Sequence, residues 1–325
     1  MAAISESTKN YSQETLVLAI CITTVGFLVF FTQTFKFLKW VWTMFLRPPK
    51  NLTHYGSWAL ITGSTDGIGK SLSFDLASKG LDLILIGRNP QKLQTTSNEI
   101  WAKFGKENTK IKVIVIDFEK ISGEEIENKI KEEIEGLDVG ILVNNVGLST
   151  NGARFFHEVG LEGFGNLVDV NIGSVSWVTR GVLPGMLQRR KGAIVNIGSG
   201  SSIVVPSYPL YSVYAATKAY VAMFSRSLSL EYKQFGIDVQ CQIPLLVATK
   251  MASIKRSSFF VPSPDQYSKA SVRWIGYESL CVPYWTHSLQ WCLLNAIPDS
   301  LVNWALLRYF LSLRKKVLRK ENKLV

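Results

Sequence analysis

The chain has few of the residues that build metal sites or cross-links. Its 325 residues include four cysteines, Cys21, Cys241, Cys281 and Cys292, and three histidines, His54, His157 and His287. No two cysteines stand in CxxC spacing and no Cys/His cluster forms, so neither a metal site nor a disulfide-framed secreted domain has support. The thiols read as reduced and mostly buried, in a protein that faces the cytosol. Charge is also sparse: 19% of residues are charged and 47% are apolar, which argues against global disorder and for a sizeable core. Internal repeats, low-complexity linkers and the basic-aromatic motifs of nucleic-acid modules are all missing.

The charge that is present is lopsided, with a formal net value of +11. Lys36, Lys39, Arg47 and Lys50 directly follow an apolar run, and Arg314, Lys315, Lys316, Arg319, Lys320 and Lys323 crowd the C-terminal region. That placement points to a membrane surface or an anionic substrate, and no nucleic acid. The apolar run itself, Thr15 to Phe35, is 21 residues without a charge. As a helix it covers roughly 30 Å, the thickness of a hydrocarbon core. A cleaved signal peptide is the competing reading. Against it, Lys9 stands between Glu6 and Glu14, and bulky Phe, Lys and Trp follow where small residues would mark cleavage. A retained single-pass anchor is therefore expected, with Trp40 and Trp42 at the interface. Four basic residues follow the span and one precedes it, which puts the C-terminal bulk in the cytosol. In that topology the sequon at Asn51 stays unglycosylated.

Past Tyr55 the pattern changes. Short apolar runs at Trp58–Ile61, Leu83–Ile86, Ile111–Ile116, Ile141–Val143, Ala193–Ile197 and Val239–Ile243 alternate with helix-like stretches such as Lys70–Lys79, Pro90–Phe104 and Glu124–Ile134. Continuous apolar strands separated by helices predict an α/β fold with a doubly wound, Rossmann-type parallel sheet. The first run feeds into Thr62-Gly-Ser-Thr-Asp-Gly-Ile-Gly69. This turn allows close backbone approach to a ligand, with the next helix aiming its amides at a phosphate. It is one residue short of a P-loop, because Ser64 stands where that motif needs glycine. The second run ends in Gly87-Arg88, where a fold reading NAD would place a carboxylate for the ribose hydroxyl. A guanidinium pairs with a 2′-phosphate, so the expected cofactor is NADPH.

Tyr214-Ala-Ala-Thr-Lys218 places a phenol and an ammonium on one helical face. A nearby cation stabilises the phenolate and is expected to lower the tyrosine pKa, a pairing suited to proton transfer at a carbonyl oxygen.

In this order, over roughly Gly56 to Thr249, the motifs resemble the short-chain dehydrogenase/reductase family. Thr62–Gly69 matches its cofactor loop and Asp117 its adenine-contacting acid. Asn144-Asn-Val-Gly147 matches its NNAG signature with valine for alanine, and Asn171 matches the asparagine of its catalytic tetrad. Pro244-Leu-Leu-Val-Ala-Thr249 matches the segment lining the nicotinamide, with Leu245 in place of glycine. The resemblance implies that Gly63, Ser64, Thr65, Gly67, Ile68, Gly69, Arg88, Asp117, Asn144, Gly147, Lys218, Val247 and Thr249 bind the cofactor. It also implies that Tyr214 donates a proton, Ser199 orients the carbonyl, Lys218 holds the nicotinamide ribose and Asn171 supports a water-linked relay. Ser199 is chosen from the strand-end motif Asn196-Ile-Gly-Ser199, with extra residues read around Val205–Ser207; counting back from Tyr214 gives Ser201 as the alternative.

Within the family the chain resembles the plant branch of very-long-chain 3-oxoacyl-CoA reductases, through Phe45–Leu52, Tyr55–Ala59, Gly136–Ile141 and Pro206–Pro209. That likeness implies a long-chain acyl-CoA substrate, the endoplasmic reticulum membrane, and the other elongase subunits (condensing enzyme, dehydratase and enoyl reductase) as partners. A 17-ketosteroid reductase and a non-catalytic elongase partner are the alternatives. Lys250, Lys255 and Arg256 are expected to face an anionic carrier. The aromatics Phe259, Phe260, Trp274, Tyr284, Trp285, Trp291 and Trp304 are expected around the substrate pocket, with Ser288–Pro298 and Leu301–Leu313 over it or at the membrane interface. The expected layout is a lumenal tail at 1–14, the anchor at 15–35, a basic segment at 36–55, the reductase domain at 56–272, and a pocket and interfacial region with a basic tail at 273–325. Asn322–Val325 lacks the second lysine of a dilysine retrieval signal.

Overall fold

The computed structural model describes residues 2–121 and 123–321, so the tail Asn322–Val325 lies outside the described residues. Two compact units are present, Met1–Pro48 and Pro49–Val325. The first is a helix, α1 (Ala2–Val41), that ends in a π turn at Trp42–Leu46. Its stretch Thr15–Leu46 is the one helical segment among the described residues long and apolar enough to cross a membrane.

The second unit follows the predicted alternation. In chain order it contains β1 (Trp58–Thr62), α2 (Gly67–Ala77), β2 (Asp82–Gly87), α3 (Pro90–Phe104), β3 (Ile111–Val115), α4 (Glu124–Glu133), β4 (Val139–Asn144) and α5 (Leu161–Val168). It continues with α6 (Ser174–Arg189), β5 (Gly192–Ile197), α7 (Gly200–Ile203), α8 (Ser212–Tyr232), β6 (Ile237–Gln242), α9 (Pro264–Trp274), β7 (Leu280–Cys281), α10 (Trp285–Asn295) and α11 (Asp299–Glu321). The strands form one parallel sheet in the order β3-β2-β1-β4-β5-β6-β7.

Side chains alternate across the sheet, and both faces are covered. Ala59, Ile61, Leu83, Leu85, Ile141 and Val143 pack against Leu72 and Leu76 of α2, Leu93 and Ile100 of α3 and Val272 of α9. Leu60, Ile84, Ile86, Leu142 and Ile194 face the other way, onto Ile126 and Ile130 of α4 and Val178, Val182 and Met186 of α6. This double coverage is why the strands read as unbroken apolar runs. Helix starts follow local chemistry. Asp66 accepts from the Gly67 N–H at 2.8 Å to open α2; Asn89 accepts from the Lys92 N–H at 2.9 Å to open α3, with Pro90 in its first turn.

The seventh strand is not legible in sequence, because two residues carry no periodicity. It forms because Leu280 and Cys281 pair with Cys241 and Gln242. With α10 and α11 it brings the 273–325 region into the same compact unit as the sheet. Strand order reverses between β1 and β4, the point where ligands bind at the carboxyl ends of such sheets.

Candidate active site

The turn after β1 is built for backbone approach. Gly63 has φ +66°, and its N–H and that of Ser64 donate to the Ile86 carbonyl at 2.9 and 3.2 Å. A Cβ at Gly69 would lie 2.3 Å from both the Gly63 oxygen and Asn145 Nδ2, so helix and turn meet only as glycine. Asn145 stitches this turn to β4: its Nδ2 donates to the Thr62 and Gly63 carbonyls at 3.0 and 3.1 Å, and its N–H donates to Thr62 Oγ1 at 3.0 Å. Sequence reading gave Asn145 no role of its own; its place inside the Asn144–Gly147 signature was the available signal.

Two expected cofactor side chains are committed elsewhere. Ser64 is fully buried, and its hydroxyl donates to the Ile86 carbonyl at 3.2 Å. Asn144 is 2% exposed and donates to Thr179 Oγ1 and Asn196 Oδ1 at 2.9 and 2.8 Å, tying β4 to α6 and β5. Its side chain is a cross-strand brace. Thr65 lies against the end of β2, with its methyl 3.2 Å from where a Gly87 Cβ would stand, and Ile68 packs into the core beneath α2. The Thr249 methyl is 3.3 Å from the corresponding point at Gly67, Val247 beside it is buried, and Asp117 accepts from the Glu119 N–H at 3.2 Å.

Arg88 is exposed and ion-paired with Glu119. Lys250, expected toward an anionic carrier, instead pairs with Asp66 at 2.6 Å across the glycine turn. That contact, with the Gly67 N–H, holds the Asp66 carboxyl below its ordinary pKa despite the opposing effect of burial.

The catalytic candidates converge at the ends of β4 and β5. Ser199 caps α7 and stands near enough to Tyr214 to lower the pKa of its phenol. Ser201 is placed behind it, donating through its hydroxyl to Ser199 Oγ at 3.0 Å. Of the two serines, Ser199 is the one whose side chain acts on the phenol's pKa. Lys218 is 5% exposed, and its ammonium donates to the Ile197 carbonyl at 3.0 Å. Burial pulls its pKa down to about 8, although Cys241 opposes the shift. Burial also pushes the half-buried Tyr214 phenol up, only partly countered by Ser199. This is the reverse of the direction expected from the four-residue spacing, because desolvation of the site disfavours both charges. Tyr214 is thus held protonated, ready to donate.

Asn171 is fully buried in a π turn, Asp169–Gly173, between α5 and α6. It grips Leu148 twice, accepting from its N–H at 2.7 Å and donating to its carbonyl at 2.9 Å, and donates to Thr217 Oγ1 at 3.0 Å. Thr217 in turn donates to the Tyr214 carbonyl at 2.7 Å. Sequence reading passed over Thr217, although it stands within the motif. A Cβ at Gly147 would lie 3.3 Å from Asn171 Oδ1 and 3.4 Å from Lys218 Nζ, so three separately predicted positions meet at one point.

Beside the departure at Leu245 stands His287, another residue sequence reading missed. The Leu245 N–H donates to His287 Nδ1 at 3.2 Å, and His287 Nε2 lies 3.1 Å from the Leu246 carbonyl. Burial holds the imidazole neutral, with its pKa pulled down to about 4.

Around Tyr214 the walls are aromatic. Tyr208 and Tyr211 sit against Phe310 of α11, with ring centroids 4.7 and 5.2 Å away. Arg314 of α11 pairs with Glu158 and covers the Phe155 ring. The other expected pocket aromatics do not form one wall: Trp274 is core, Phe259 packs on Phe260 and Trp285, and Trp304 is 61% exposed.

A family model described as short chain dehydrogenase matches residues 57–258. The chain belongs to the short-chain dehydrogenase family. It is 50% identical over 307 residues to a very-long-chain 3-oxoacyl-CoA reductase-like protein of Arabidopsis thaliana, covering 93% of this chain and 95% of that one. It is 40% identical to the very-long-chain 3-oxoacyl-CoA reductase of Mus musculus, covering 82% and 84%. It is also 40% identical to the inactive hydroxysteroid dehydrogenase-like protein 1 of Homo sapiens, covering 82% and 80%. Among solved structures, a short-chain dehydrogenase from Sphingobium yanoikuyae in complex with NADPH matches with a TM-score of 0.61 at 27% identity, covering 76% of this chain and 95% of that one. The chain is thus an oxidoreductase of this family with a nicotinamide cofactor. The glycine turn, with Gly67 at the start of the 11-residue helix α2, fits a dinucleotide.

Proposed function

We propose that this protein reduces the 3-oxo group of very-long-chain acyl-CoA to a 3-hydroxyl, with NADPH as reductant. When bound, NADPH supplies the hydride. Tyr214 Oη holds the proton that the substrate oxygen takes, and Ser199 hydrogen-bonds the same oxygen and fixes its position. Lys218, which like Asn171 lies against Gly147, holds the nicotinamide ribose and takes part in returning a proton to Tyr214. Arg88 meets the 2′-phosphate in place of Glu119. The gathering of buried Lys218 and Asn171 against Gly147, with Ser199 near Tyr214, is the observation that carries this reading.

The substrate class is supported by the printed names of the reductase relatives. The anchor at Thr15–Leu46 and the basic residues after it support a single-pass protein of the endoplasmic reticulum with its body in the cytosol, beside the other elongase subunits.

The test is NADPH oxidation by the detergent-solubilised full chain with a long-chain 3-oxoacyl-CoA and, in parallel, a 17-ketosteroid. A wild-type rate no higher than that of Tyr214→Phe overturns the enzymatic reading and favours an assembly role. Turnover of the steroid alone overturns the acyl-CoA reading.

A further inference from the structure

Helix α11 has two unlike faces. Val302, Leu306, Phe310, Leu313 and Val317 recur at helical spacing on one side; Val302 and Phe310 are buried, and Phe310 lies against Tyr208 and Tyr211. The opposite side carries Leu301, Trp304, Arg308, Lys315 and Arg319, also at helical spacing and all exposed. Leu301 and Trp304 are 56% and 61% exposed, and at the preceding corner Leu293 and Ile297 are 54% and 42% exposed. The corner and the helix thus present an apolar patch that runs into a row of cations. From Leu301 to Arg319 there is no Asp or Glu. The Arg308 guanidinium lies over the Trp304 ring, 5.6 Å from its centroid.

We propose that this face of α10 and α11 seats on an anionic lipid bilayer. Apolar side chains with a tryptophan and adjacent cations suit the headgroup boundary, where the rings and aliphatic groups enter the interface and the cations meet lipid phosphates. A twofold contact between two copies through this face would bring like charges together, whereas an anionic surface neutralises them. The chain also supplies its own tether: a helix long and apolar enough to cross a membrane precedes the body by a short connection, which keeps the bilayer at high effective concentration. Because the inner face of α11 borders Tyr208 and Tyr211, seating brings that side of the cleft to the lipid. The contact itself does not depend on what the site reduces.

The experiment uses the full chain with Cys21 and Cys292 replaced by serine, leaving the buried Cys241 and Cys281. A spin label is placed at Trp304→Cys or, as a reference, at exposed Gln94→Cys on α3, in vesicles of phosphatidylcholine with or without phosphatidylserine. Accessibility to an aqueous nickel chelate and to oxygen is read, and NADPH binding confirms folding. In anionic vesicles the label at 304 is expected to be about threefold or more less accessible to nickel than the one at 94, and more accessible to oxygen. Replacing Arg308, Lys315 and Arg319 by glutamate returns it to the aqueous value. A second probe leaves Trp304 intact and labels native Cys292 on α10 in the Cys21→Ser chain, with the same expectation. Equal nickel access at 304 and 94 in anionic vesicles overturns the proposal. So does protection that persists in detergent with dipolar broadening between labels, which identifies a second copy as the occupant.

Discussion

Ser199→Ala and Ser201→Ala separate two hydroxyls that stand two residues apart. Ser199 lowers the pKa of Tyr214, and in the proposed reaction it also donates to the oxygen on which charge develops. Removing one such donor costs about a hundredfold in kcat, or about 2.7 kcal/mol of transition-state stabilisation. Ser201 reaches the site only through its 3.0 Å hydrogen bond to Ser199. Losing a neutral hydrogen bond of about 1 kcal/mol limits the Ser201→Ala effect to roughly fivefold. A further signature follows from electrostatics. Ser199 holds the Tyr214 pKa down against burial, so its loss should move the alkaline limb of the kcat profile upward, while Ser201→Ala leaves it in place. The assay is NADPH oxidation with 3-oxoacyl-CoA across pH, with thermal melts to show that both variants fold. A Ser201→Ala loss equal to that of Ser199→Ala, or a Ser199→Ala loss of only a few fold, refutes the assignment.

Other outcomes follow from the same contacts. Arg88→Asp should weaken NADPH binding by tenfold or more (about 1.4 kcal/mol) and leave NADH nearly unchanged; equal loss for both removes the 2′-phosphate argument. Glu119→Gln frees Arg88 from its exposed ion pair, so NADPH should bind about 1.4- to fivefold tighter in direct titration, matching a contact of about 0.2–1 kcal/mol. His287 has a folded pKa of about 4 against an ordinary 6.5, so the unfolded chain takes up its proton first as pH falls. The stability due to neutral His287 is therefore lost between those two values, by up to about 3 kcal/mol, and His287→Phe should flatten that part of a denaturant-midpoint profile. Asn51 should remain free of glycan when the full chain is expressed in eukaryotic cells, as glycosidase shift and mass spectrometry would show; a glycan there places the body in the lumen.

Much of this protein was readable in advance because its signals are local. A charge-free run of 21 residues is a span by length alone. Strands covered on both faces need apolar residues at every position, so β1 and β5 announced themselves. The turn from Thr62 to Gly69 needs glycine wherever backbones touch, and a four-residue spacing puts Tyr214 and Lys218 on one face of α8 whatever surrounds that helix. What remained open depended on neighbours distant in sequence. The strand-end motif points to Ser199 and the spacing from Tyr214 to Ser201, and which of them lies near the phenol depends on where α8 packs. Asn144 reads as a cofactor residue, and only the fold shows its side-chain amide bonded to Thr179 and Asn196. His287 looks like an isolated histidine until the fold carries it beside Leu245, 42 positions earlier. Spacing alone gives the wrong direction for the tyrosine pKa, because burial is a property of the assembled site and here it outweighs the hydrogen-bonding influence of Ser199. Local sterics and hydrophobic pattern determined the elements and the chemistry they carry; packing across the sheet decided which hydroxyl meets the phenol, which asparagine is a brace, and which face of the last helix is left for a partner.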